Sequence, residues 1–290
     1  MGEPIYLSRV DETLARLMPT LERGLARALP EQVTRGVIEF LVFGIKQAWA
    51  CLFGGLLLAG LIVTNLFWPS DWPLGRYDFL VLYALGLQAL FLITRLERPQ
   101  EAIVILIFHI VGTAMEIFKT DVGSWSYPDE SYLRIANVPL FSGFMYAAVG
   151  SYFARVARVF EFEWRGYPPR IMTVFLATAI YINFFSHHFL PDIRWFLFAA
   201  TAVLFWRTQV HYRVWRWRHK MPLLLGFLLV SFFIWLAENI GTATRTWIYP
   251  GQEADWHIVP LQKLGAWYLL MIISWVLVTL VNPPKAVADS

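Results

Sequence analysis

Residues 115–128 read MEIFKTDVGSWSYP and residues 237–250 read AENIGTATRTWIYP. At an offset of 122 residues, Glu116 falls on Glu238, Thr120 on Thr242, Trp125 on Trp247, Tyr127 on Tyr249 and Pro128 on Pro250. A VPL tripeptide follows in both, Val138-Pro139-Leu140 and Val259-Pro260-Leu261, and Gly143 with Gly265 and Tyr146 with Tyr268 resume the same offset. Upstream, Glu39-Phe40 matches Glu161-Phe162 and Pro69 matches Pro191. Coincidence of uncommon residues, rather than overall identity, points to a duplicated unit. Four spanning helices per copy return the chain to its starting side, so the copies share one orientation, and Glu116 and Glu238 come to equivalent depths.

Working outward, the 290 residues are 58% hydrophobic and only 16% charged, with a mean hydropathy of +0.52, well beyond what a water-soluble globule carries. Long apolar runs predict eight spans near 47–67, 78–96, 102–118, 138–156, 171–190, 194–211, 222–241 and 260–281. The expected fold is therefore all-α, a polytopic membrane protein with a parallel 4+4 repeat. Its parts are a cytoplasmic tail over 1–36, a first unit over 37–158, a second over 159–281 and a short tail over 282–290. Residues 37–46 carry Glu39 and Lys46 and read as an interfacial helix leading into the first span.

Basic residues concentrate in the two tails and in alternate connections, leaving Arg76, Lys119, Arg134, Arg194, Arg245 and Lys263 for the other side. That bias predicts cytoplasmic termini in a bacterial inner membrane. Residues 1–36 carry five arginines and five acids ahead of any long apolar run, unlike a secretory signal. Within them Leu14, Leu17, Leu21 and Leu25 recur at helical spacing opposite Arg16, Arg23 and Arg27, which predicts a surface helix that Pro19 can kink. A net charge of +3, scattered between spans, supports no nucleic-acid role. The one cysteine, Cys51, excludes an internal disulfide and a cysteine-built metal site and reads as a small helix residue.

An intramembrane carboxylate is costly unless paired or hydrated, so Glu116 and Glu238 are the leading candidates for chemistry. The competing reading has each glutamate accept hydrogen bonds from the Trp or Tyr of its own loop, or from Lys119 or Arg245, and simply fix that loop. His109 lies two helical turns before Glu116 on the same face, with Thr113 between them. The second copy has Ser231 there and adds Asn239 beside its glutamate. Asn183, His187 and His188, leading to Asp192, form a polar cluster toward the same end; adjacent histidines project to different faces, so no metal site and no cofactor is expected. Trp125, Tyr127, Trp247 and Tyr249 are candidates for substrate contact, or for an interfacial aromatic belt.

From FGIKQAWACLF through FHIVGTAMEIFKTDVGSWSYP and VPLFSGFMYAAVGSY to WLAENIGT and KLGAWYLLMIISWVLVTLV, the chain resembles the bacterial family catalogued as domain of unknown function 817. That likeness implies a multi-pass membrane protein and no established activity. A fainter likeness is to segments of membrane lycopene cyclases and carotenoid hydratases, where an acid is followed by W-x-Y and a proline-leucine. It covers Glu116, Trp125, Tyr127, Pro139 and Leu140 in one copy, and Glu238, Trp247, Tyr249, Pro260 and Leu261 in the other. The paired acids that come next in cyclases are Phe141-Ser142 and Gln262-Lys263 here. This resemblance implies proton donation to a polyene by a buried carboxylic acid.

These readings converge on a lipid-bilayer protein that binds or acts on an isoprenoid or other lipid, with a glutamate as acid and no nucleic-acid partner. A proton-coupled transporter and a non-catalytic assembly partner are the alternatives. No nucleotide-binding loop, cysteine cluster or nucleophile elbow is present to suggest an ATPase, an iron–sulfur protein or a serine hydrolase.

Overall fold

A computed structural model describes residues 5–69 and 71–287; residues 1–4 and 288–290 of the two expected tails lie outside the described residues. The elements run α1 (Ile5–Leu25), α2 (Glu31–Ala50), α3 (Leu52–Phe67), α4 (Arg76–Ile93), α5 (Pro99–Asp121), β1 (Arg134–Ile135), β2 (Val138–Pro139), α6 (Phe141–Val159), β3 (Glu163–Arg165), α7 (Arg170–Ser186), α8 (Arg194–Phe205), β4 (Gln209–Arg213), β5 (Arg218–Pro222), α9 (Leu223–Ala243) and α10 (Gln262–Val281). Each of the eight expected apolar segments carries a helix. Among the described residues, four helices are long and apolar enough to cross a membrane: Arg76–Ile93, Glu101–Asp121, Leu223–Ala243 and Gln262–Val281. The α2–α3 pair, bent by 68°, makes a fifth if it counts as one broken span. The remaining shortfall from eight has a physical basis. The helices of the expected fifth and sixth spans have only 17 and 12 residues, and the last turns of α6 carry Arg155 and Arg158.

Three local expectations change. The helix in 194–211 stops at Phe205, and Gln209–Arg213 is instead a strand between β3 and β5 in an antiparallel three-stranded sheet, so the protein is mostly helical rather than purely so. Cys51 is exposed at the bend between α2 and α3, not inside one continuous helix. In α1 the buried side is Leu14 and Met18, with Leu17 58% exposed, and the helix continues through Pro19.

α10 runs through the centre. Leu269 to Val276 is buried at every position, as a helix that is apolar nearly all round requires at the core of a bundle. Around it Val104, Phe108 and Met115 of α5, Ala147 and Phe153 of α6, Ile180 of α7 and Phe227 of α9 form the main core. Outward faces stay apolar: Ile103, Leu106 and Ile110 on α5 and Phe232 and Phe233 on α9 are exposed, as lipid contact requires. One pair of fully buried charges is matched directly. Arg155 bonds Glu97 at 3.0 Å, and Ser151 and Gln88 donate to the same carboxylate at 2.8 and 2.6 Å.

α6, about 28 Å long at 1.5 Å per residue, separates two tied ends. At one, β3 and β4 join the connections after α6 and α8, and Glu39 of α2 accepts three backbone N–H bonds from Trp215, Arg216 and Trp217. There Lys46, expected as a topology signal, is buried against Val159 O and Asp11, both at 3.3 Å. At the other end lie the loops that follow Glu116 and Glu238.

Candidate functional site

Both glutamates stand near the C-terminal ends of their helices, and both helices end in the same way. After α5, Ser124 N bonds Lys119 O and Gly123 N bonds Thr120 O, with Gly123 at φ +70°. After α9, Thr246 N bonds Gly241 O and Arg245 N bonds Thr242 O, with Arg245 at φ +50°. This pair of bonds around a left-handed residue reverses the chain sharply. Reversal carries the loop back along its own helix, which is why residues 9 and 11 positions beyond a glutamate can reach it.

Glu116 Oε2 accepts from Trp125 Nε1 and from the Tyr127 hydroxyl, each at 2.7 Å, and Oε1 accepts from the Tyr146 hydroxyl at 2.8 Å. Glu238 accepts from the Tyr249 hydroxyl and, at 2.7 Å, from Trp267 Nε1. Both carboxylates are buried, at 3% and 4% exposure, and every direct partner is a neutral aromatic donor. Burial and the adjacent glutamate hold the Tyr127 and Tyr249 phenols well above the ordinary value of 10, so both remain donors at physiological pH. The two cages adjoin. Ser126 and Ile248 exchange backbone hydrogen bonds at 3.0 and 2.9 Å, the Trp125 and Tyr249 rings meet edge to face at 6.0 Å, and Lys263 Nζ stands 4.1 Å from the Tyr249 ring centre and 5.4 Å from that of Trp125.

Other candidates occupy different surroundings. Trp247 does not reach Glu238; its ring covers Gly241 so closely that a Cβ there would lie 2.0 Å from it. His109 packs its ring on Phe144 at 4.6 Å, and its Nδ1 and the Thr113 hydroxyl are buried beside Gly143 without hydrogen-bond partners among the described residues, apart from the glutamate cage. Asn239 bonds Trp235 O at 2.8 Å and Val259 N at 2.9 Å, fixing the approach to α10. Asn183 bonds Asp192 and Ile193 N at 3.1 and 3.2 Å. His187 and His188 both turn to Lys119, while Arg245 bonds the carbonyl of Glu253. Among the described residues no three His, Cys, Asp or Glu side chains gather as a metal site.

Three participants are not among the candidate site residues read from the sequence: Tyr146, Trp267 and Lys263. Tyr146 has Tyr268 as its match at the 122-residue offset, yet it is the neighbouring Trp267 that serves Glu238, while Tyr268 lines a groove of about 460 Å³. That groove is walled by Phe198 of α8, Leu224, Leu225 and Leu228 of α9, and Leu264, Gly265 and Tyr268 of α10, with Leu261 at its edge.

The family model described as protein of unknown function (DUF817) matches residues 39–275. The chain is also 43% identical over 251 residues to a Bacillus subtilis protein described as uncharacterized protein YoaT, covering 87% of this chain and 94% of that one. Neither match carries the carotenoid-enzyme likeness. No solved structure matches the chain.

Proposed function

This chain belongs to the DUF817 family of proteins of unknown function, and we propose that it is a multi-pass protein of the bacterial cytoplasmic membrane that binds an isoprenoid or other long-chain lipid along α8, α9 and α10. The groove carries this reading. Val259, just before α10, is bonded to Trp235 and Asn239 in the C-terminal half of α9. The antiparallel α9–α10 pair thus brings Leu224–Leu228 and Leu261–Tyr268 together as the two walls of one groove. A trough lined by Phe198, leucines and Tyr268, open on the apolar outer face, suits a hydrocarbon chain. In the same reading, residues 37–158 and 159–281 are two copies of one four-helix unit, with both termini cytoplasmic.

Of the two glutamates, Glu238 is the better acid or hydrogen-bonding partner for such a ligand. A carboxylate offers about four acceptor positions; Glu116 has three taken, Glu238 two. Glu116 is assigned the task of fixing its loop, and His109 that of packing in α5. The test is mass spectrometry of lipids that co-purify with the protein from mild detergent, repeated for Leu228→Trp and Glu238→Gln after both are confirmed folded. A specific isoprenoid or lipid retained by the wild type and lost from Leu228→Trp supports the reading. Identical bulk phospholipid in all three overturns it.

A further inference from the structure

Lys119, in the last turn of α5, is 4% exposed, yet among the described residues its ammonium forms no ion pair with a carboxylate. It lies 2.6 Å from His188 Nε2 and 3.4 Å from His187 Nε2, and 4.3 Å from the centre of the Phe184 ring. Buried ammonium groups ordinarily have an anionic partner, because desolvation of the charge is otherwise uncompensated.

The hydrogen-bond inventory assigns the imidazole protons. His187 Nδ1 stands 2.9 Å from Asn183 O, which only accepts, so Nδ1 carries the proton and Nε2 accepts from Lys119. His188 must likewise accept at Nε2, because an ammonium has no lone pair to offer. That leaves the Nδ1–H of His188 unspent on an exposed side chain. Both rings are neutral and the positive charge stays on Lys119.

Two further cations stand on the elements that meet here: Arg194, at the start of α8, is joined through Asp192 to Asn183, whose carbonyl His187 bonds, and Lys263, in the first turn of α10, lies over the Trp125 and Tyr249 rings. Two carboxylates lie near them: Asp192 is engaged by Arg194 at 2.5 Å and by Asn183, and Glu238, which Lys263 feels electrostatically, is already bonded by Tyr249 and Trp267. Lys263 faces aromatic rings and makes no ion pair within the described residues. The first turns of α8 and α10 add the partial positive charge of helix N-termini. This group also adjoins the groove: Phe198 is one turn beyond Arg194, Gly265 is two residues beyond Lys263, and a Cβ on Gly265 would lie 3.2 Å from the Phe198 ring.

We infer that Lys119, His188, Arg194 and Lys263 form the binding site for a phosphate-type oxyanion, the head of the amphipathic ligand whose chain fills the α8–α9–α10 groove. The inference rests on the lipid reading and narrows it to anionic, phosphate-bearing lipids. His188 Nδ1–H, the Arg194 guanidinium and the Lys263 ammonium are the outer donors, and Lys119 supplies charge from behind them.

The test is calorimetric titration of the full chain in nonionic detergent with inorganic phosphate, dihexanoyl phosphatidic acid and uncharged dihexanoylglycerol. The expected order is phosphatidic acid tightest, then phosphate, then dihexanoylglycerol. Lys263→Gln, which loses a charged hydrogen bond, and Lys119→Gln, which removes the charge behind the donors, each weaken both anions about tenfold. Lys119→Arg retains binding and Lys220→Gln in β5 is silent. Should Lys119→Gln not fold, Lys263→Gln carries the comparison. Equal binding of phosphatidic acid and dihexanoylglycerol with no phosphate binding, or anion affinities unchanged in the variants, overturns the anion site and leaves the lipid reading standing. Phosphate bound as tightly as phosphatidic acid supports the anion site with a soluble ligand and removes the support for the lipid.

Discussion

Gly123 and Arg245 occupy the same turn of two helix ends, both left-handed, at φ +70° and +50°. Each reverses the chain so that a tyrosine 11 residues past a buried glutamate comes back to bond it. Glycine adopts this conformation without cost, whereas a residue with a Cβ does so under strain.

Arg245→Gly is accordingly expected to stabilise the protein by about 0.5–1 kcal/mol, less whatever its two 3.3 Å bonds to Glu253 O contribute. Gly123→Ala should cost a similar amount. Thermal unfolding in detergent, monitored by tryptophan fluorescence, checks both; stabilisation by Gly123→Ala would contradict the assignment of the turn.

The Glu116 cage predicts an asymmetry between removing a donor and removing the acceptor. Tyr127→Phe loses one hydrogen bond and should cost about 1 kcal/mol, whereas Glu116→Ala strands three buried donors and should cost several. Equal, small effects in the same unfolding assay would show that the cage does not hold the loop.

Glu97 and Arg155 are 0% and 1% exposed at their side chains. Glu97→Leu alone leaves a buried guanidinium without its bonded counter-charge and should cost about 3–5 kcal/mol, while Glu97→Leu with Arg155→Met should be much milder. Yield and melting temperature of the single and double variants decide it; additive losses would argue against a direct ion pair.

Asp192 supplies a pH test. Burial pushes its carboxyl up, but the Arg194 backbone N–H, the Asn183 amide and the Arg194 guanidinium outweigh this and hold it below the ordinary 3.8. A value depressed in the folded state gives stability that is complete above the unfolded value and is lost as pH falls through the folded one. Asp192→Asn should therefore lower the melting temperature at neutral pH, and the gap to wild type should narrow as pH drops below that range. A gap independent of pH would contradict it.

What the sequence revealed depended on distance along the chain. The apolar segments were legible because a helix-length run of apolar residues has few other homes, and Trp125 and Tyr127 were placed near Glu116 because one helix end and one turn connect them. Tyr146 and Trp267, 30 and 29 residues from their glutamates, depend on how α6 and α10 pack. The link from Lys119 to His188 spans 69 residues and left no periodic signal. The break at Cys51 has no proline to mark it, and β4 is paired by partners on both sides rather than by a pattern of its own. Trp247 is the instructive case: at the offset that matches it to Trp125 it should bond Glu238, but Gly241 opens a place for its ring and Trp267 takes the bond.

The central claim is that a lipid chain lies along α8, α9 and α10, and the most direct measurement is photo-crosslinking with a phosphatidic acid bearing a diazirine in its acyl chain, mapped by peptide mass spectrometry. Adducts concentrated on Phe198, Leu225, Leu228, Leu264 and Tyr268, and suppressed by excess unlabelled lipid, are the predicted result. Adducts spread evenly over exposed apolar positions such as Ile103, Leu106, Phe175 and Phe233, with no competition, would contradict it.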